Sequence, residues 1–172
     1  MISTFLAEHV LLVRIGFWLA LVCAAALTWL LHRLRLRRVL FGLSAVAAVA
    51  VLVLTLLPDG ARDGGVTCTV QFSVPFQGID TLANLAMLVP LTLFLGTASG
   101  RPVAVLLGAV ALSAGIEATQ AVLPVLGRRC DTDDWSMNTI GALLGAGIAV
   151  VVLALDRRRG GARPSADADA AR

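Results

Sequence analysis

Five long apolar runs, separated by short polar or proline- and glycine-bearing stretches, set the pattern of this chain. They extend from about Val10 to Leu31, Val39 to Leu57, about Ile79 to Ala98, Val103 to about Leu123, and Trp135 to Leu155. The first is uncharged from Ile15 onward. The second is closed by Pro58, Asp59 and Gly60, the third by Ser99, Gly100, Arg101 and Pro102, and the fourth by Pro124. At about 1.5 Å per residue, each run crosses a hydrocarbon core of about 30 Å as a helix. No run alternates apolar and polar positions as a barrel strand does, so the crossings are read as helices. The pattern predicts an all-α fold, a polytopic membrane helix bundle with five transmembrane helices. Residues 1–159 then form a single transmembrane helical domain. Residues 160–172, rich in Gly, Ala, Ser and Asp, read as a disordered cytoplasmic tail.

Composition narrows the class. Of 172 residues, 58% are hydrophobic and only 15% are charged, and mean hydropathy is +0.88. So little charge cannot coat a water-exposed surface. That excludes intrinsic disorder, an ordinary cytosolic enzyme and a disulfide-stapled secreted miniprotein. All 14 basic residues are arginine, and the net charge is +3. Arg33, Arg35, Arg37 and Arg38, beside His32, follow the first run, and Arg157, Arg158 and Arg159 follow the fifth. This is the placement of topology signals and of contacts to anionic lipid headgroups. No nucleic-acid motif accompanies them, and no nucleic-acid partner is expected.

With the first arginine cluster inside, five crossings also bring Arg101, Arg163 and Arg172 inside. Ten arginines then lie inside and four, Arg14, Arg62, Arg128 and Arg129, lie outside. The bias predicts an outside N-terminus and an inside C-terminus. The first run is kept as a helix: a signal peptide carries its positive charge before the apolar core, not after it. Cys23 lacks the small preceding residue of a lipoprotein site. Trp29 and Trp135 fall near the predicted interfaces.

This topology gathers polar side chains at the outer leaflet. Asp80 and Asn84 occupy the outer end of the third helix, and Asp134 and Asn138 that of the fifth. Glu117 and Gln120 lie in the outer half of the fourth, Glu117 about 13 Å below its end. A carboxyl group in a crossing helix costs several kcal/mol unless it faces a cavity or a partner. Glu117 is therefore the leading candidate, as a proton acceptor or an anchor for a polar ligand. The plainer reading is a protonated Glu that ties helices together. Gln120 and Ser113 share its face. Asp80, and either Asp133 or Asp134, suit helix capping. Asn84 and Asn138 lie a turn deeper and must bond another helix or a ligand.

Arg128, Arg129, Asp131, Asp133 and Asp134 form the densest charge run. It reads as a solvated loop, or as a site in which Arg128 meets an anionic group. No metal and no cofactor is expected, since one acidic loop without a bidentate partner at fixed spacing falls short of a metal site. Gly141 and Gly145 form a small-residue pair suited to close helix packing within the bundle. Cys23 reads as an inert filler. Cys68 and Cys130 both fall in outer loops, on the oxidising side. A disulfide between them would enclose about 60 residues and stabilise the fold by roughly 4 kcal/mol.

The same residues carry a resemblance. Asp80, Asn84 and Pro90, then Glu117 and Gln120, then Arg128, Asp131, Asp133, Asp134, Asn138, Gly141 and Gly145 follow in an order and spacing that resemble the VanZ-like family of bacterial membrane proteins. Val74, Pro75 and Phe76 also fit, so the resemblance spans 74–145. Leu88 and Thr92 replace the Phe and Gly typical of that family around the proline. Cys130 stands where an apolar or aromatic residue is common, which suggests a branch with an added disulfide. The resemblance implies an envelope role of the kind linked to resistance to the glycopeptide teicoplanin. That role would affect drug access to the outer membrane surface or to peptidoglycan precursors.

Three function classes follow. The leading one is an envelope protein whose outer polar pocket binds a lipid headgroup, a lipid-linked cell-wall precursor or a glycopeptide. Arg128 and Asp131 would serve as ligand contacts, with Asn84, Gln120 and Asn138 orienting the ligand and Glu117 tuning the pocket. The alternative is an enzyme on a lipid-linked phosphate or glycan, with Glu117 or Asp134 as acid or base and Arg128 stabilising developing charge. No Ser–His pair or phosphatase signature supports it, and His9 and His32 stand apart from the cluster. A small proton-coupled transporter is disfavoured by apolar inner helix halves and the lack of an inverted repeat.

Overall fold

The computed structural model describes residues 9–58, 60, 66 and 68–160. In chain order the elements are α1 (Val10–Arg33), α2 (Arg37–Leu56), β1 (Cys68–Thr69), α3 (Ile79–Ser99), α4 (Pro102–Val122), a 3-10 turn (Pro124–Leu126), β2 (Cys130–Asp131) and α5 (Thr132–Gly160). All five α-helices are long and apolar enough to cross a membrane. The expected all-α bundle is therefore the fold. Four of the helices end within two residues of the apolar runs, whereas α5 begins three residues before Trp135 and continues five past Leu155. Arginine is a good helix former, so the helix runs on through Arg157 and Arg158 after its apolar stretch ends. From residue 161 the expected tail lies outside the described residues, as do Asp59, Arg62, Arg163 and Arg172.

The bundle is organised around α3, which buries most of its length and packs on all four other helices. Leu85, Leu88, Thr92 and Leu93 on α3 are fully buried. By contrast, α1 lies at the periphery and buries only Thr28. Lipid tails are as apolar as leucine, so helices associate in a membrane through close contact more than through water exclusion. The seam between α3 and α5 supplies that contact. A Cβ on Gly141 would overlap the Leu85 carbonyl, and one on Gly145 would overlap the Thr92 hydroxyl and the Val89 carbonyl. The glycine pair thus packs inside the bundle, while Gly147 faces open space. Three buried hydroxyls are satisfied locally: Ser44, Thr55 and Thr92 donate to carbonyls four residues back at 2.7 to 2.9 Å,.

Two features bring the polar loops onto the bundle. Pro124 disfavours a helical Leu123 and ends α4,. Gly127 then adopts a left-handed conformation (φ 67°) that turns the chain back,. The returning strand β2 pairs in parallel with β1, Cys68 opposite Cys130 and Thr69 opposite Asp131. The two sulfurs stand at disulfide distance, with a Cα–Cα separation of 4.5 Å. The expected cysteine pair thus joins the loop after α2 to the loop after α4.

Candidate functional site

The site forms at the end of the bundle where α3 and α5 begin. Asp131 secures the start of α5: its Oδ1 accepts the Asp133 N–H at 2.8 Å. Neither Asp133 nor Asp134 is the cap, because α5 begins at Thr132, ahead of its apolar run. At the start of α3 the backbone N–H of Gly78 donates to Thr81 Oγ1 at 3.1 Å, and that hydroxyl donates to the Gly78 carbonyl at 2.8 Å. Thr81, not Asp80, therefore fastens this terminus. Asp80 sits in the first turn, where the helix dipole favours negative charge,.

A stretch after β1 is stitched to the start of α5. The Gln71 N–H donates to Thr132 Oγ1 at 3.0 Å, and Thr132 Oγ1 donates to the Gln71 carbonyl at 2.8 Å. Gln71 Nε2 donates to Asp131 Oδ2 at 2.7 Å, and the Ser73 N–H donates to Asp133 Oδ1 at 2.7 Å. Asn84 Nδ2 on α3 donates to Asp134 Oδ1 on α5. These bonds border an open cavity of about 750 Å³ whose lining includes Gln71, Ser73, Asn84, Asp131, Asp133 and Asp134. Asp80 and Gln77 also face it, and among the described residues no arginine or histidine does. Carboxylate acceptors dominate the surface, with amide and hydroxyl groups beside them.

The expected site residues divide between this cavity and its supports. Asn84, Asp131 and Asp134 line it together. Glu117, only 7% exposed, lies behind it, and its Oε2 accepts the Asp131 N–H at 2.8 Å. The returning loop has come down to meet the carboxyl group, which explains a Glu so far from the helix end. Gln120 is buried on the same face and donates from Nε2 to the Thr55 carbonyl at 2.9 Å. Arg128 donates from Nε to the Leu57 carbonyl at 3.2 Å. Both bonds engage carbonyls at the C-terminus of α2, which lack helical partners. Asn138, 3% exposed, donates from Nδ2 to Ser113 Oγ at 3.1 Å, and its Oδ1 has no partner among the described residues. Asn84 and Asn138 thus bond other helices, as their depth required.

Gln71, Ser73, Gln77 and Thr81 line the cavity but are absent from the candidates taken from sequence. The signal that could have found the first two is the cysteine pair. In a parallel pairing of Cys68 with Cys130, residues just after one cysteine run beside those just after the other. Chemically, the lining can accept hydrogen bonds from hydroxyl or ammonium groups. It is not assembled as a metal centre: Asp131, Asp133 and Asp134 direct oxygens to N–H donors, and no cluster of three His, Cys, Asp or Glu among the described residues is set to hold an ion.

A family model described as VanZ/LLP1 matches residues 17–153. The match extends the likeness well beyond the motifs, taking in most of α1 and all of α2. No curated protein and no solved structure matches the chain. The chain belongs to the VanZ/LLP1 family and is a multi-pass membrane protein.

Proposed function

With that membership as premise, we propose that the protein acts in the bacterial cell envelope, with the acidic end of the bundle on the outer side of the plasma membrane. In this reading the cavity between α3 and α5 engages the polar part of a lipid headgroup, a lipid-linked cell-wall precursor or a glycopeptide. The observation that carries it is the carboxylate-rich lining: four aspartates stand with Asn84 and two glutamines, and no arginine or histidine among the described residues joins them. Sugar hydroxyls and amines are the groups such a surface recognises. The outward orientation is supported by the arginine bias and by the Cys68–Cys130 pair, since disulfides persist in oxidising compartments,.

Asn84 and Asp134 hold each other at the cavity wall, so ligand contacts there are preorganised,. Glu117 acts as a positioning residue through the Asp131 backbone. Gln120 and Arg128 brace the end of α2. Reduced access of a glycopeptide to its target would be the cellular expression of this binding.

The test uses the full chain in nanodiscs with a lipid-linked peptidoglycan precursor and teicoplanin as separate probes. The expected result is binding of at least one probe that falls roughly tenfold in Asn84→Leu and Asp134→Asn, in keeping with the loss of charge-assisted hydrogen bonds. Equal affinities in all three proteins would remove the cavity from the function.

A further inference from the structure

We propose that the opposite end of the bundle carries a second site: a pocket for one phosphate group, presented by an anionic phospholipid headgroup. The proposal is independent of the acidic cavity. Here a cavity of about 820 Å³ opens between the end of α1, the start of α2, the end of α3 and α5. Arg33, Arg35 and Arg37 line it. The only acid among the described residues of the lining, Asp156, lies 3.4 Å from His32 and so faces a neighbour of its own.

Two arginines are held in place. Arg37 donates from Nε to the Ala98 carbonyl at 2.6 Å, and its guanidinium lies over Phe41. The Arg33 guanidinium lies over Trp29 at 5.1 Å from the ring centroid. An arginine anchored in this way still offers the rest of its planar fork to a phosphate. Arg35 occupies the turn between α1 and α2 with φ 56°, a left-handed backbone that a glycine or asparagine adopts more easily,. Helix α2 starts at this cavity, and its N-cap, Leu36, offers no side-chain acceptor. The N–H groups of that first turn and the helix dipole favour an anion.

A separate observation points to a ligand. Thr97 lines the cavity and is only 2% exposed, yet its hydroxyl has no hydrogen-bond partner among the described residues. Other buried hydroxyls of the bundle, on Ser44, Thr55 and Thr92, bond the carbonyl four residues back. A phosphate oxygen would give the Thr97 hydroxyl its acceptor, the α2 terminus its anion and the three arginines their counter-charge. Diffuse attraction of arginines to an anionic membrane needs none of this arrangement. A basic pocket between helix ends at the membrane surface places a lipid phosphate within reach.

The experiment measures phosphatidylglycerol retained by the purified full chain, by native mass spectrometry after titration into phosphatidylcholine-loaded micelles. One tightly held phosphatidylglycerol is expected. Thr97→Val and Arg35→Gln should each weaken it about five- to tenfold. Arg38, three residues on in the first turn of α2, does not line the cavity, so Arg38→Gln removes the same charge but should change affinity less than about twofold,. An equal loss in Arg38→Gln, or no loss in Thr97→Val, would overturn the pocket in favour of diffuse charge. Inorganic phosphate and glycerol 3-phosphate serve as competitors. Failure to displace the lipid supports the lipid source, whereas displacement by either at equal concentration would overturn that source and leave a soluble phosphate as the occupant.

Discussion

At the end where α3 and α5 begin, carboxylates collect N–H donors from a loop far back in the chain, and a cysteine pair clamps that loop. At the other end arginines lie over aromatic rings, and Arg37 takes up a carbonyl left over at a helix terminus. The acidic end is thus a folded surface whose shape depends on long-range pairing. The arginine end is made by the helices themselves and by a tight turn of three residues between α1 and α2. The contrast teaches that the low charge content of the chain is spent in two ways. Acids build a wall, and arginines dress helix ends.

The largest expected effect concerns the seam that fixes both ends relative to each other. Gly145→Leu should abolish the native bundle, because the Val89 carbonyl of the α3 backbone obstructs it together with the Thr92 hydroxyl; more than about 4 kcal/mol is expected for so severe an overpacking. Gly147→Leu, which meets open space, should stay within about 0.5 kcal/mol,. Thermal unfolding in detergent, with size-exclusion profiles, compares the two.

Next comes the clamp. Cys68→Ser should lower stability by about 4 kcal/mol, the chain-entropy value for a loop of this size. Hydrogen exchange should then rise at Gln71 and Ser73 while the turn at Arg35 stays unchanged. Equal exchange at both ends would erase the contrast between them.

Glu117 gives a smaller and more discriminating effect. Glu117→Leu leaves the Asp131 N–H without its acceptor and should cost about 1–3 kcal/mol and most probe binding. Glu117→Gln keeps an acceptor oxygen and should retain binding within about threefold. Loss of function in the Gln variant with the fold intact would instead assign the carboxyl group a proton-transfer role.

The smallest pair compares the ends directly. Asp131→Ala removes a helix cap and a loop contact and should cost about 1–2 kcal/mol. Asp156→Ala, at the exposed His32 pair, should cost less than about 1 kcal/mol,. Parallel melting curves decide it.

The helices were legible in the sequence because a membrane crossing needs an unbroken apolar run, and Val39–Leu57 or Val103–Leu123 can be little else. The depth of Asn84 and Asn138 was also legible, and so was the need for each to bond another helix or a ligand. The cavity was legible only in part. Asp134 and Asn84 follow from helix spacing, but Gln71 and Ser73 reach the wall through a strand pairing with residues some sixty positions away. A two-residue bridge leaves no periodicity to read. Arg128 illustrates the complementary difficulty: its charge suggested an anion, and nothing in the sequence marked the Leu57 carbonyl to which its Nε donates. Loose carbonyls at a helix end are a property of the folded chain and leave no mark in composition.

The central claim is that the acidic cavity meets an envelope molecule. Its most direct test places a photoreactive amino acid at Ala83, which lines the cavity, and at Leu107, which is exposed on α4, in living cells. The expected result is a product at Ala83 that contains a lipid-linked precursor, an applied glycopeptide or one defined headgroup class, and that Asp134→Asn suppresses. The same unselective lipid products at both positions, unaffected by Asp134→Asn, would contradict it.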